Sequence, residues 1–128
     1  TGRNTLIIDA YNANPTSMAA ALENFSNVSA KSTVAPLGDM LELGEESVTE
    51  HVAVIRSAWS RRLSMICFVG KEFKEASAQV PADMLENAHF FATSDELAAY
   101  LTENPLSGSV VLIKGSRGTR MENVIPSL

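Results

Sequence analysis

The stretch Thr5-Leu6-Ile7-Ile8-Asp9-Ala10-Tyr11-Asn12-Ala13-Asn14-Pro15 passes from an apolar run through a polar turn into an amphipathic segment. Its first four residues read as a buried strand. Beyond Pro15, Met18, Leu22 and Phe25 recur at helical spacing and give a helix one apolar face. Asn14 suits the N-cap and Pro15 the first helical position, where a missing N–H costs no hydrogen bond. A carboxylate, a phenol and two amides therefore sit in a strand-to-helix turn, where α/β proteins place their ligands.

The same alternation continues along the chain. Apolar runs at 5–8, 32–36, 65–69, 88–91 and 109–113 have strand character. Several are continuously hydrophobic, as expected of strands buried on both faces of a parallel sheet. Val48, Val52, Ile55 and Trp59 recur at helical spacing behind Ser47-x-x-Glu50, which has the pattern of a capping box. Thr93-x-x-Glu96 has the same pattern and introduces Leu97, Tyr100 and Leu101 as an inward face. Short helices are expected over 72–78 and around Met121, Val124 and Ile125. Strands alternating with helices predict an α/β, Rossmann-like fold: an open, mostly parallel sheet with helices on both faces. The pattern leaves strand order open and is compatible with one antiparallel edge strand. No repeat, low-complexity tract or linker divides residues 1–128, which read as a single domain.

Composition narrows the class. Fifteen acidic residues against ten basic ones give a net charge of −5, and Arg61-Arg62 is the one adjacent basic pair, so no basic stripe offers itself to a nucleic acid. No apolar run approaches the roughly 20 residues needed to cross a bilayer. The single cysteine, Cys67, excludes an internal disulfide framework and fits a reducing compartment. It lies within Met65-Ile66-Cys67-Phe68-Val69 and is expected to be a core thiol. Together these features predict a cytoplasmic domain without nucleic-acid or membrane partners.

Ligands of open α/β sheets lie beyond the carboxyl ends of the strands. The first run leads into Asp9, Tyr11, Asn12 and Asn14, and the second into Leu37-Gly38-Asp39-Met40-Leu41-Glu42-Leu43-Gly44. Gly70-Lys71, Thr93-Ser94 and Lys114-Gly115-Ser116-Arg117-Gly118 stand after the others. Gly70-Lys71 lacks the spacing and the hydroxyl residue of a phosphate loop, and no G-x-G-x-x-G occurs. Lys114-Gly115-Ser116-Arg117 combines two cations, a hydroxyl and glycine-freed amides. It is either a receptor for a carboxylate or phosphate, with Arg117 binding bidentately, or a flexible polar turn. The acidic stretch Asp39, Glu42, Glu45 and Glu46 has no histidine or cysteine beside it to complete a metal site. It reads as a solvated helix entrance. His51, near the start of a helix, reads as a solvated surface histidine in preference to a general base, and His89 suggests nothing catalytic.

Three motifs, in order, carry a resemblance that covers nearly the whole chain: Asp9-x-Tyr11-Asn12-Ala13-Asn14-Pro15-x-Ser17-Met18, Leu37-Gly38-Asp39-Met40-Leu41-Glu42-Leu43-Gly44 with His51 downstream, and Lys114-Gly115-Ser116-Arg117. Together they resemble the C-terminal domain of the Mur ligases, and the Tyr-Asn-Ala-Asn-Pro wording resembles the dipeptide-adding members. The family has three domains. The first holds the UDP end of the substrate, the central one carries the P-loop and Mg²⁺, and the C-terminal one swings closed over ATP.

The resemblance implies an ATP-dependent peptide ligase acting on UDP-N-acetylmuramoyl-tripeptide and D-alanyl-D-alanine. This chain would be its excised third domain, with its own N-terminal and central domains as partners. ATP phosphates and Mg²⁺ would be held mainly by the central domain, and no metal site is expected here. A substrate carboxylate becomes an acyl phosphate, which the dipeptide amine attacks. Carried over by residue, Asp9 would face the ribose hydroxyls, and Tyr11, Asn12 and Asn14 would line the cleft toward nucleotide or dipeptide. Asp39 would lie near the incoming amine as the candidate catalytic group, and Ser116 and Arg117 would receive the carboxylate of the added residue. The alternatives are a free-standing, flavodoxin-like module that binds a nucleotide or small acid without catalysis, and the matching domain of a sister ligase such as folylpolyglutamate synthase.

Overall fold

The computed structural model describes residues 3–9 and 13–128. Five strands form one sheet: β1 (Thr5–Asp9), β2 (Thr33–Gly38), β3 (Met65–Val69), β4 (Ala88–Phe91) and β5 (Val110–Lys114). Their spatial order is β1-β5-β2-β3-β4, and all pairings among the described residues are parallel. No antiparallel edge strand is among them.

Four α-helices join the strands: α1 (Pro15–Ser26), α2 (Ser47–Ser60), α3 (Lys71–Ser77) and α4 (Ser94–Glu103). A 3₁₀ segment over Met121–Ser127, in place of the expected short α-helix, closes the chain. The first three connections move across the sheet in one direction and the fourth returns, so crossovers of one hand put α1–α3 on one face and α4 on the other.

Strand alternation divides the core to match. Ala35, Leu37, Ile66, Phe68 and Leu112 pack with Met18, Leu22, Phe25, Val54, Ile55 and Phe73 from α1–α3. Val34, Cys67, Val69, Val111 and Ile113 point the other way, toward Leu97 and Leu101 of α4 and toward Met121, Val124 and Leu128. Among the described residues no helix is long and apolar enough to cross a membrane.

Both ends of the cap reading at Asn14-Pro15 are present. Asn14 Oδ1 accepts from the Ser17 N–H at 2.9 Å, and Ser17 Oγ accepts from the Asn14 N–H at 3.0 Å. Thr93 and Glu96 form the same reciprocal box on α4. Three expectations are corrected. The box expected at Ser47-x-x-Glu50 is absent: α2 starts behind Glu46 with no side-chain cap, and the Ser47 hydroxyl donates to Glu72 instead. The buried side of α2 is Ser47, His51, Val54, Ile55 and Ala58, which leaves Trp59 44% exposed. β1 is an edge strand, so its apolar run is not buried on both faces, and Ile7 and Ile8 are exposed.

β2 runs past Pro36 to Gly38 although it is central. Its register with β5 is made at Thr33, Val34 and Leu37 and lapses over Ala35 and Pro36, the latter having no N–H to donate.

Candidate functional site

β5 lies between β1 and β2 but leaves the sheet toward the opposite face, so the chain directions diverge above these three strands. A crevice at such a switch point, outside the carboxyl ends, is where open α/β sheets take ligands. Asp9 ends β1, Asp39 follows β2, and Lys114 to Arg117 end and follow β5. The structure therefore brings Asp9, Asp39, Ser116 and Arg117 to one edge. Asn14 stands just beyond that edge at the α1 cap. Tyr11 and Asn12, with Ala10, lie outside the described residues.

Asp9 and Lys114 are register partners, and Lys114 Nζ donates to Asp9 Oδ2. The lysine is 1% exposed and the carboxylate 55%. Lys114 shares its sheet face with Leu112, turning its long side chain into the layer below α1 and keeping its head at the rim. A cavity of about 390 Å³ between β1 and α1, lined by Ile7, Ser17, Ala21 and Phe25 among others, opens beside this pair. In the sequence Lys114 stands out only as one cation of a motif. The alternation along β5 is the signal that it points inward.

Asp39 is 3% exposed, and its carboxylate is engaged on both oxygens: Oδ2 accepts from the Glu72 N–H and Oδ1 from the Phe73 N–H, each at 3.0 Å. It thereby caps α3 from another loop. Burial raises its pKa above the ordinary carboxylate value, outweighing the opposite pull of those two amides. The contacts give this candidate catalytic carboxylate a framework task. Gly70, which the sequence offers only as a weak likeness to a phosphate loop, makes the arrangement possible. Its φ of +119° suits glycine, and the Asp39 carboxylate occupies the space where a β-carbon would stand.

His51 is fully buried, which corrects the expectation of a solvated surface residue. Its Nε2 accepts from the Met40 N–H at 3.0 Å, and its Nδ1 donates to the Ser47 carbonyl at 2.7 Å. That pair of bonds requires a neutral ring with the proton on Nδ1. Phe73 meets the ring edge to face at 4.6 Å.

Ser116 is tied to the same loop, its N–H and its hydroxyl both donating to the Asp39 carbonyl at 3.3 and 2.7 Å. Thr119 returns over the turn, bonding the Ser116 carbonyl through its N–H and its hydroxyl. Gly38 and Gly115 have no room for a β-carbon beneath Thr119 and Met121. The 114–117 segment is thus a seated loop rather than a flexible turn, with the Arg117 side chain at its exposed rim. A second polar cleft of about 420 Å³ lies across the sheet edge between Gly70, Lys71, Thr93 and Arg120. Among the described residues no group of three or more His, Cys, Asp or Glu side chains could hold a metal ion.

This architecture and loop set agree with one family. Residues 1–117 match the Mur ligase, glutamate ligase domain, and the chain belongs to the Mur ligase family. The UDP-N-acetylmuramoyl-tripeptide--D-alanyl-D-alanine ligase of Treponema pallidum is 38% identical over 127 residues, covering 97% of this chain and 27% of that protein. The Bacillus subtilis protein of the same name is 33% identical over 129 residues, covering 97% and 28%. A crystal structure of MurF from Acinetobacter baumannii superposes with a TM-score of 0.83 at 32% identity, covering 98% of this chain and 28% of that one. The chain thus spans little more than a quarter of the length of the curated relatives it matches. A MurF ligase from Thermotoga maritima, solved in complex with ADP, shares the fold at a TM-score of 0.71 and 24% identity, covering 95% and 27%.

Proposed function

We propose that this chain is the C-terminal domain of a cytoplasmic ATP-dependent ligase that joins D-alanyl-D-alanine to UDP-N-acetylmuramoyl-tripeptide in peptidoglycan precursor synthesis. The observation that carries the reading is the convergence of Asp9, Lys114, Ser116 and Arg117 at the switch-point edge of a domain whose relatives bear that name. Its own N-terminal and central domains are its partners, and UDP-N-acetylmuramoyl-tripeptide, D-alanyl-D-alanine and ATP are the substrates.

The donor set supports a limited contribution of this domain toward the nucleotide. A half-exposed carboxylate such as Asp9 fits the hydroxyls of a ribose, and Lys114 holds it at the rim. Among the described residues no cluster of three or more His, Cys, Asp or Glu side chains and no P-loop is offered to Mg²⁺ and the phosphates. Those groups belong to the rest of the polypeptide. Tyr11 and Asn12, which lie outside the described residues, are proposed as contacts to nucleotide or dipeptide. The Asn14 amide oxygen caps α1.

Toward the dipeptide, Arg117 is the cation offered to its carboxylate, with a geometry suited to bidentate pairing. The Ser116 proton is committed to Asp39, so Ser116 contributes by seating Arg117. Asp39 fixes the floor beneath them. Closure of this edge over the central domain orients amine and activated carboxyl group and keeps water from the latter.

The test is ligation by the full-length polypeptide with these substrates, compared with the 128-residue chain alone, which should not ligate. In the full-length enzyme Arg117→Ala should raise the D-alanyl-D-alanine KM by roughly ten- to a hundred-fold, the worth of a lost charge-assisted hydrogen bond. An unchanged KM and kcat would remove Arg117 from the dipeptide site.

A further inference from the structure

Asp39 and Met40 share one peptide group, and both of its polar ends are held by side chains or backbone far along the chain. Its N–H donates to His51 Nε2 at 3.0 Å. Its C=O accepts from the Ser116 N–H at 3.3 Å and from the Ser116 hydroxyl at 2.7 Å. A peptide unit is planar, so its N–H and C=O turn together. Whatever fixes the direction of the Met40 N–H also fixes the acceptor on which the 114–117 loop sits.

We infer that His51 is a positioning residue for Ser116 and Arg117, acting through the orientation of the Asp39–Met40 peptide. The inference rests on the reading of Arg117 as the receptor for the dipeptide carboxylate. The chain before this peptide is firmly placed: the Asp39 N–H bonds the Val69 carbonyl at 2.9 Å, and the Asp39 side chain caps α3. Beyond it the chain leaves the sheet, Leu41 is exposed, and Glu42 takes a φ of +63°. The peptide therefore sits at the point where ladder support ends, and His51 supplies the support on its N–H side.

The residue type suits the task. A neutral imidazole donates from one nitrogen and accepts at the other. The bond from Nδ1 to the Ser47 carbonyl, one helical turn back, leaves Nε2 as the acceptor aimed at the loop. With no exposure and both nitrogens occupied, the ring moves no proton in the reaction. Its contribution reaches substrate only through Ser116 and Arg117.

The test uses the full-length ligase carrying His51→Phe, which keeps a flat ring and removes the acceptor, and His51→Gln, whose amide oxygen can take the place of Nε2. His51→Phe should raise the dipeptide KM by roughly ten- to a hundred-fold. The ATP KM and the kcat at saturating dipeptide should stay within about threefold. Backbone hydrogen exchange over residues 114–117 should accelerate in the same variant. His51→Gln should recover most of the KM and the slow exchange, which loss of packing alone would not predict.

If His51→Phe does not fold, Ser116→Ala breaks the same linkage from its other end and should accelerate exchange at Met40. Equal defects in His51→Gln and His51→Phe, or unchanged exchange over 114–117, would overturn the inference. If the wild-type enzyme fails to use D-alanyl-D-alanine, the proposed function falls, while the exchange measurements still decide the role of His51.

Discussion

Replacing Gly70 by alanine should be among the most damaging small substitutions in the domain, and the structure gives two separable reasons. Gly70 has φ +119° and ψ 163°, a region essentially reserved for glycine, which costs a side-chain-bearing residue about 1–3 kcal/mol. A β-carbon there would also lie no farther than 2.5 Å from each of the three carboxyl atoms of Asp39. Relief requires that carboxylate to move, yet it accepts two backbone hydrogen bonds at 3.0 Å that start α3. Losing one bond to a charged acceptor costs about 1.5–3 kcal/mol. The sum is about 2.5–6 kcal/mol, set against a usual domain stability of about 5–15 kcal/mol.

Gly108 supplies the control. It also has positive φ, +69°, but a β-carbon there meets nothing within 4 Å, so Gly108→Ala should cost only about 1–2 kcal/mol. Urea unfolding of the two variants separates the terms. In an Asp39→Ala background the steric part disappears, and the second substitution should cost only the backbone term of about 1–3 kcal/mol. The reasoning is refuted if Gly70→Ala costs no more than Gly108→Ala, or if its cost is the same with and without Asp39.

Asn14→Ala removes the acceptor for the Ser17 N–H and should lower stability by about 1 kcal/mol, read as a reduced urea midpoint at unchanged slope. An effect within error would show that the cap contributes nothing beyond the rest of α1. Burial pushes the Cys67 thiol up to about 12, so the thiolate fraction of the folded chain is negligible at pH 8. A thiol reagent at that pH should label Cys67 only as fast as the protein opens, and rapidly in urea, where the ordinary value of about 8.5 returns. Labelling of the native chain at the rate of a free thiol would contradict the burial.

The fold is legible in the sequence where its determinants are local. Asn14-Pro15 and Thr93-x-x-Glu96 satisfy helix ends within a few residues of themselves, and both caps form as written. The alternation of apolar runs with helical patterns points to the α/β class for the same reason. The errors fall where a distant partner decides. α2 carries apolar residues around much of its circumference, so spacing alone admits a stripe through Val48, Val52, Ile55 and Trp59. The stripe that packs is rotated from it and includes Ser47 and His51, because Glu72 and Met40 meet them there. β1 has the composition of an interior strand, but only the return crossover from β4 decides that β5 takes the inner place and leaves β1 at the edge.

The same limit governs the site. Its edge is readable, because polar residues and glycines collect after every strand. Which of them face a ligand is not, because loop-holding and ligand-binding call for the same side chains. Contacts spanning 33 residues between Asp39 and Glu72, and 77 between Asp39 and Ser116, make the division. They consume the Asp39 carboxylate, the Asp39 carbonyl and the Ser116 proton, while Asp9 and Arg117 remain at the rim. A buried carboxylate so engaged affects function mainly by placing others, so its loss should disturb α3 and the 114–117 loop together. Asp9 and Arg117 stand differently. Asp9 ends β1 as the register and ion-pair partner of the buried Lys114, so its replacement tests that pair, whereas the exposed Arg117 follows β5 on a loop that Asp39 and His51 hold.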